Sequence, residues 1–130
     1  MSKSDSKKSG GADGTSSAPD DCIFCKIIAG DFGTDLVYED EWVVAFDDIS
    51  PQAPVHTLIV PREHVENLED DPDPELLARV FGAVSKVARL KGIDESGYRI
   101  IQNNGAGGGQ TVFHLHVHLM GGSSLSEELV

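Results

Sequence analysis

Residues 108–122 read GGQTVFHLHVHLMGG. Three of the chain's five histidines, His114, His116 and His118, fall within five positions, and a glycine pair closes the stretch. Successive side chains of a strand point to opposite faces. The pattern therefore predicts a strand over 111–120, with the three imidazoles on one face. Phe113, Leu115, Val117 and Leu119 take the other face, against a core. Packing alone asks for no row of imidazoles. Residues four apart on a strand lie ~13 Å from each other at ~3.3 Å per residue. Zinc–nitrogen bonds are only ~2.0–2.1 Å long. The outer pair reaches a shared ion poorly, so the three histidines are expected to have separate jobs.

The residues just upstream, NGAGGGQ (104–110), form a glycine-rich loop. Glycine lets backbone N–H groups come close to an anion. Asn103, Asn104, Gln110 and Thr111 flank the loop with neutral donors. Imidazole can be nucleophile, base and acid near neutral pH. Loop and histidines together describe a phosphate site with a histidine nucleophile and no arginine clamp.

Further out, the pattern predicts strands in DLVYED and EWVVAFDD (35–48), VHTLIVP (55–61) and YRIIQN (98–103). CIFCKIIAG (22–30) has room for one or two helical turns before its glycine. DPDPELLARVFGAVSKVARLKG (71–92) is the long helix. Its expected N-cap is Asp73, with Pro74 at the first helical position and Gly92 closing the end. Its expected buried stripe is Leu77, Val80, Phe81, Val84, Val87 and Ala88. Strands joined by short links, with one long helix interposed, predict an α+β fold with an antiparallel sheet.

The chain has 130 residues, 39% hydrophobic and 25% charged, and a net charge of −12. That suits one globular domain, expected over 21–130. Residues 1–20 are Ser/Gly/Lys/Asp-rich and nearly free of apolar side chains, and are expected to be a disordered tail. That tail holds three lysines and three aspartates, so the whole excess charge falls on residues 21–130. An acidic body repels nucleic acid. No run approaches the ~18 apolar residues of a membrane helix, and no apolar stretch follows the N-terminal lysines. The expectation is a cytoplasmic protein with no membrane partner. Cys22 and Cys25, spaced C-x-x-C, suggest metal or redox chemistry before a structural disulfide.

These residues resemble a known family. The stretch 108–122 is similar to the signature of the histidine triad (HIT) proteins. DDISPQAPVHTLIVPREH (47–64), CIFCKIIAGD (22–31) and GYRIIQNNG (97–105) resemble its Hint branch. The resemblance implies a five-stranded antiparallel sheet with one long helix and a short N-terminal helix, paired into a homodimer. It implies cleavage at the α-phosphorus of purine nucleoside phosphoramidates or acyl-nucleotides through a nucleotidyl-histidine intermediate. The alternatives are a dinucleoside polyphosphate hydrolase and a nucleotide-binding regulatory module with little turnover. Carried over, His116 is the nucleophile, His118 contacts phosphate and leaving group, and His56 joins them. Asn103, Gln110 and Thr111 would contact phosphate, and Asp48 the ribose. Phe24, Ile27, Phe32, Phe46 and Ile49 would wall the base. Cys22, Cys25, His64 and His114 match a structural zinc set of bacterial members, and no catalytic metal is expected. The chain departs from the family at GGSSLSEELV (121–130), where a Trp-Pro-Pro-type tail is common. Gly33 also stands where proline is usual. Both leave leaving-group preference open.

Overall fold

The sheet grows outward from the histidine strand. In the computed structural model, which describes residues 21–127, five strands pair antiparallel throughout, in the order β1-β2-β3-β5-β4. The strands are β1 (Tyr38–Glu39), β2 (Val43–Asp47), β3 (Val55–Pro61), β4 (Tyr98–Ile101) and β5 (Val117–Gly121). Helix α1 (Ile23–Ala29) precedes the sheet, and α2 (Pro74–Leu90) lies between β3 and β4. The architecture is the expected α+β one. The tail read from residues 1–20 lies outside the described residues. Among those described, no helix is long and apolar enough to cross a membrane.

Helix α2 forms where its caps predict. The Asp73 carboxylate accepts from the Glu75 amide at 2.8 Å, and Pro74 opens the first turn. Gly92 follows the C-cap Lys91 with φ +75°. The buried stripe is shifted from the expected one. Leu76, Val80, Ala83, Val84, Val87 and Ala88 are buried, Leu77 is half-buried, and Phe81 is 43% exposed. The apolar face is wider than the residues that reach the sheet, and Phe81 sits on its outer edge. The stripe packs on Val43, Ala45, Ile59, Val117 and Leu119. The opposite sheet face carries Val44, Phe46, Leu58 and Val60, covered by Cys22 and Phe24 of the α1 segment.

The main correction concerns β5. It starts at Val117, not at residue 111. Pairing with β3 ends at Ile59↔Val117. Upstream, other bonds draw the chain away from the ladder. The Leu115 amide donates to the Val65 carbonyl at 2.7 Å, and the His114 ring donates to the Pro61 carbonyl at 2.8 Å. Phe113, expected in the core, is 41% exposed, whereas Leu115 is fully buried. β4 likewise stops at Ile101 rather than 103. The closing glycine pair has a steric reason. A Cβ on Gly121 would come within 3.0 Å of the Ile93 side chain and 3.2 Å of the Gly97 carbonyl. One on Gly122, at φ +90°, would come within 3.0 Å of Pro54.

Candidate active site

The histidine stretch divides into two sites. His114 turns toward Cys22, Cys25 and His64. The Nδ1 atom of His114 lies 3.3 Å from Cys22 Sγ, 3.5 Å from Cys25 Sγ and 3.1 Å from His64 Nδ1. Cys25 Sγ lies 3.4 Å from His64 Nδ1. Tetrahedral zinc with bonds of ~2.0–2.1 Å to nitrogen and ~2.3 Å to sulfur needs edges of about 3.3 Å (N–N) and about 3.6 Å (N–S). These four distances are near those edges, and all four ligand atoms lie within 4.8 Å of one another. They are close enough to hold a metal ion.

The surrounding chemistry agrees. His114 Nε2 donates to a carbonyl, which leaves its Nδ1 lone pair facing the other ligands. Burial, aided by the neighbouring His64 and His116, lowers the His114 pKa to about 4 against the opposing Pro61 bond, so the ring is neutral. Burial also lowers His64. Burial first, then Cys22, raises the Cys25 thiol to about 12. A bound cation reverses that preference, since a coordinating thiol is deprotonated outright.

His116 and His118 face the other way. His116 is 6% exposed and packs edge-on against Phe24, ring centroids 5.1 Å apart. Its Nδ1 lies 2.7 Å from the His114 carbonyl oxygen. A carbonyl only accepts, so Nδ1 carries the proton and Nε2 keeps a free lone pair. Burial lowers its pKa, opposed by that bond and by Asp48.

The same reasoning fixes the next two rings. The Gln52 amide donates to His56 Nδ1 at 3.0 Å. Neutral His56 therefore carries its proton on Nε2, which lies 2.9 Å from His118 Nδ1 and 3.6 Å from Asp48 Oδ2. His118 in turn accepts at Nδ1 and keeps an N–H at Nε2. Burial first, then His116 and His56, lowers the His118 pKa to about 4, against Asp48. His56 and His118 line a cleft of ≈ 410 Å³ with Gln52, Asn103, Met120 and Arg99. Asp48, His56 and His118 also lie within 4.8 Å of one another.

Other expected site residues are placed unevenly. Asn103 lines the cleft and donates to the Gly108 carbonyl at 2.7 Å. Asp48 caps its turn, accepting from Ser50 at 2.8 Å through Oδ1, and turns Oδ2 to His56. Phe24 and Phe46 are buried together, centroids 5.5 Å apart, with Ile27 half-buried beside them. Phe32 and Ile49 are 57% and 97% exposed. Thr111 is exposed and lines the hollow over Cys22 and His64 rather than the His118 cleft. Gln110 corrects the expected phosphate contact. It is 4% exposed, its oxygen accepts from Asn67 and Gly105, and its nitrogen donates to the Glu66 and Val112 carbonyls. It staples the glycine loop to the segment after β3. Arg99 corrects the expectation of a cleft without arginine. Its only sequence signal is alternation on β4, where Arg99 and Ile101 share the histidine face.

Fold and relatives together define a hydrolase. A family model, HIT domain, matches residues 30–125, and the chain belongs to the HIT family. Its relatives include the purine nucleoside phosphoramidase of Escherichia coli K12, 43% identical over 112 residues, 85% of this chain and 94% of that one. An uncharacterised HIT-like protein of Synechococcus elongatus is 45% identical over 82% of this chain and 95% of its own. Among solved structures, a HIT family hydrolase from Clostridium thermocellum superposes with a TM-score of 0.82 at 44% identity, over 87% of this chain and all of that one.

Proposed function

We propose that the chain hydrolyses purine nucleoside phosphoramidates, with His116 as nucleophile. The observation that carries this is the free Nε2 of His116, held by the Nδ1–H bond to the His114 carbonyl. Nε2 attacks the α-phosphorus, and the P–N bond breaks with its electron pair going to the leaving nitrogen. That nitrogen takes up a solvent proton through His118 and departs as an amine. The nucleotidyl-imidazolium keeps its Nδ1 proton against the carbonyl. Water then attacks phosphorus and loses a proton to solvent, replacing the one carried off by the amine, and the P–N bond to His116 breaks with its electron pair returning to Nε2. The remaining work is positioning and charge stabilisation. The His118 Nε2–H, the Asn103 amide and nearby backbone N–H groups supply it.

The E. coli relative's name supports a purine. The base rests against Phe24, Ile27 and Phe46, with Phe32 and Ile49 on the open side, and Asp48 Oδ2 accepts from ribose. Cys22, Cys25, His64 and His114 hold zinc, which fastens the α1 segment to the strand of the nucleophile. Thiol ligands persist in a reducing compartment, which supports a cytoplasmic location. Phe81, Leu90, Tyr98 and Ile100, all exposed, form the contact face of a homodimer, testable by sedimentation.

The decisive assay is amine release from a fluorogenic adenosine phosphoramidate by the parent and His116→Ala. The expected loss in the variant is at least about 10³-fold. A parent that is inert on the amidate but cleaves dinucleoside polyphosphates overturns the substrate class. A parent that binds adenosine monophosphate and turns over neither overturns catalysis.

A further inference from the structure

The base and ribose side of the site lies on β2 and α1, at Phe24, Phe46 and Asp48. The opposite side has no assigned role. There, Met120 on β5 pairs with His56 on β3 and with Arg99 on β4. The three side chains form one cross-strand row on the histidine face. Strands lie ~4.8 Å apart, so the Arg99 backbone stands about 10 Å from that of His56. A substrate with its nucleoside over β2 and its phosphorus at His116 and His118 extends its leaving group over β5 toward Arg99.

Some cations of the chain have carboxylate partners and others, such as Arg89 on Ser85, have none among the described residues. Arg62 pairs with Glu39, Arg79 with Glu75 and Lys91 with Asp47. Arg99 has no carboxylate partner among the described residues, in a chain of net charge −12. It is the one Lys or Arg lining the His118 cleft. Its Nη2 donates to the Ser126 backbone carbonyl, a neutral acceptor. A guanidinium has five N–H donors in a fixed fork, so most of its capacity is unspent. Ile101, Met120 and Leu125 line the same cleft and give it an apolar wall beside the charge.

We propose that Arg99 determines leaving-group specificity by pairing with a carboxylate. The substrate class is a nucleoside phosphoramidate whose leaving amine is an apolar amino acid, bonded to phosphorus through its nitrogen. The guanidinium grips the carboxylate in a bidentate pair, displacing the Ser126 carbonyl, and the amino-acid side chain lies on Met120, Ile101 and Leu125. A carboxylate is favoured over a polyphosphate because it balances one guanidinium. A polyphosphate brings several negative charges to a cleft with one cation in an acidic body. This inference rests on the phosphoramidase reading above.

The test compares two adenosine phosphoramidates, one of phenylalanine with its free carboxylate and one of its neutral carboxamide. Each is assayed with the parent, Arg99→Met and Arg99→Lys. The parent is expected to favour the acid by about tenfold or more in kcat/KM, the worth of a charge-assisted bond. Arg99→Met loses that preference, the acid falling about tenfold or more further than the carboxamide. Arg99→Lys keeps part of it, as a point charge without the fork. The acid-to-amide ratio within one enzyme cancels any general loss from releasing Ser126. Equal rates on both substrates in the parent, or an unchanged ratio in Arg99→Met, overturn the Arg99 assignment and leave the phosphoramidase reading standing. Turnover of neither substrate by the parent overturns the phosphoramidase reading and this inference with it.

Discussion

The two ends of the histidine stretch obey different rules. At His114 both ring nitrogens and the carbonyl have a use: Nδ1 faces three other ligand atoms, Nε2 meets Pro61, and the carbonyl receives His116. The site is closed and its geometry is over-determined. At His118 the donors are aligned but not all spent. One ring nitrogen is fixed by His56, and the other has no hydrogen-bond partner among the described residues. A structural site satisfies itself, whereas a chemical site leaves directed capacity open. His116 lies between the two, its Nδ1 held by the His114 carbonyl and its ring beside that of His118.

The largest expected effect separates reactivity from support. His116→Ala should abolish amine release by at least about 10³-fold with little change in melting temperature, because the fold rests on the other end. Cys22→Ser should do the reverse. It removes one of four ligands, so metal analysis should fall from one zinc per chain to near none. The melting temperature should drop by about 10 °C or more, since bound metal contributes directly to folding free energy. Two zinc ions per parent chain would erase the contrast, by implicating Asp48, His56 and His118 as a second metal group.

A smaller effect is expected at Gln110. Gln110→Ala strands the buried Asn67 amide and the Gly105 N–H, at about 1–3 kcal/mol of stability by chemical denaturation. A shift below ~0.5 kcal/mol would show that the glycine loop holds without its staple. The smallest concerns pH. Burial holds the folded-state pKa of His118 at about 4, below its ordinary 6.5. The unfolded chain therefore binds the extra proton first. Stability is full above about pH 6.5 and declines as pH falls toward 4, levelling below that. His118→Asn should show a shallower decline than the parent over that window, and equal slopes would place the titration elsewhere.

Much of this contrast is legible in the sequence, for a definite reason. Helix α2 announces itself through caps and spacing that are local, so its ends fall within three residues of expectation at Pro74 and Leu90. Strand geometry says only that the outer histidines share no ion, and the separate roles come with the family resemblance. What fails to show is anything decided by distant partners. Period-two alternation runs unbroken from 113 to 119, yet the chain leaves the ladder before Val117 because Pro61 and Val65 claim His114 and Leu115. Gln110 reads as a ligand contact beside a glycine loop. Its partners Asn67 and Glu66 lie more than forty positions away. Arg99 becomes a cleft residue only once register sets it against Met120.

The bonds from Gln52 through His56 to His118 all run in one direction, each donor pointing toward the substrate side. The rings are thus a short stack of aligned dipoles, positive end outward. Each bond polarises the next, so the field at the final Nε2–H exceeds that of a lone imidazole. Because the Gln52 amide is backbone and cannot reverse, the stack has a built-in polarity before any substrate arrives. That field is thereby anchored at the Gln52 backbone, in the turn that follows β2.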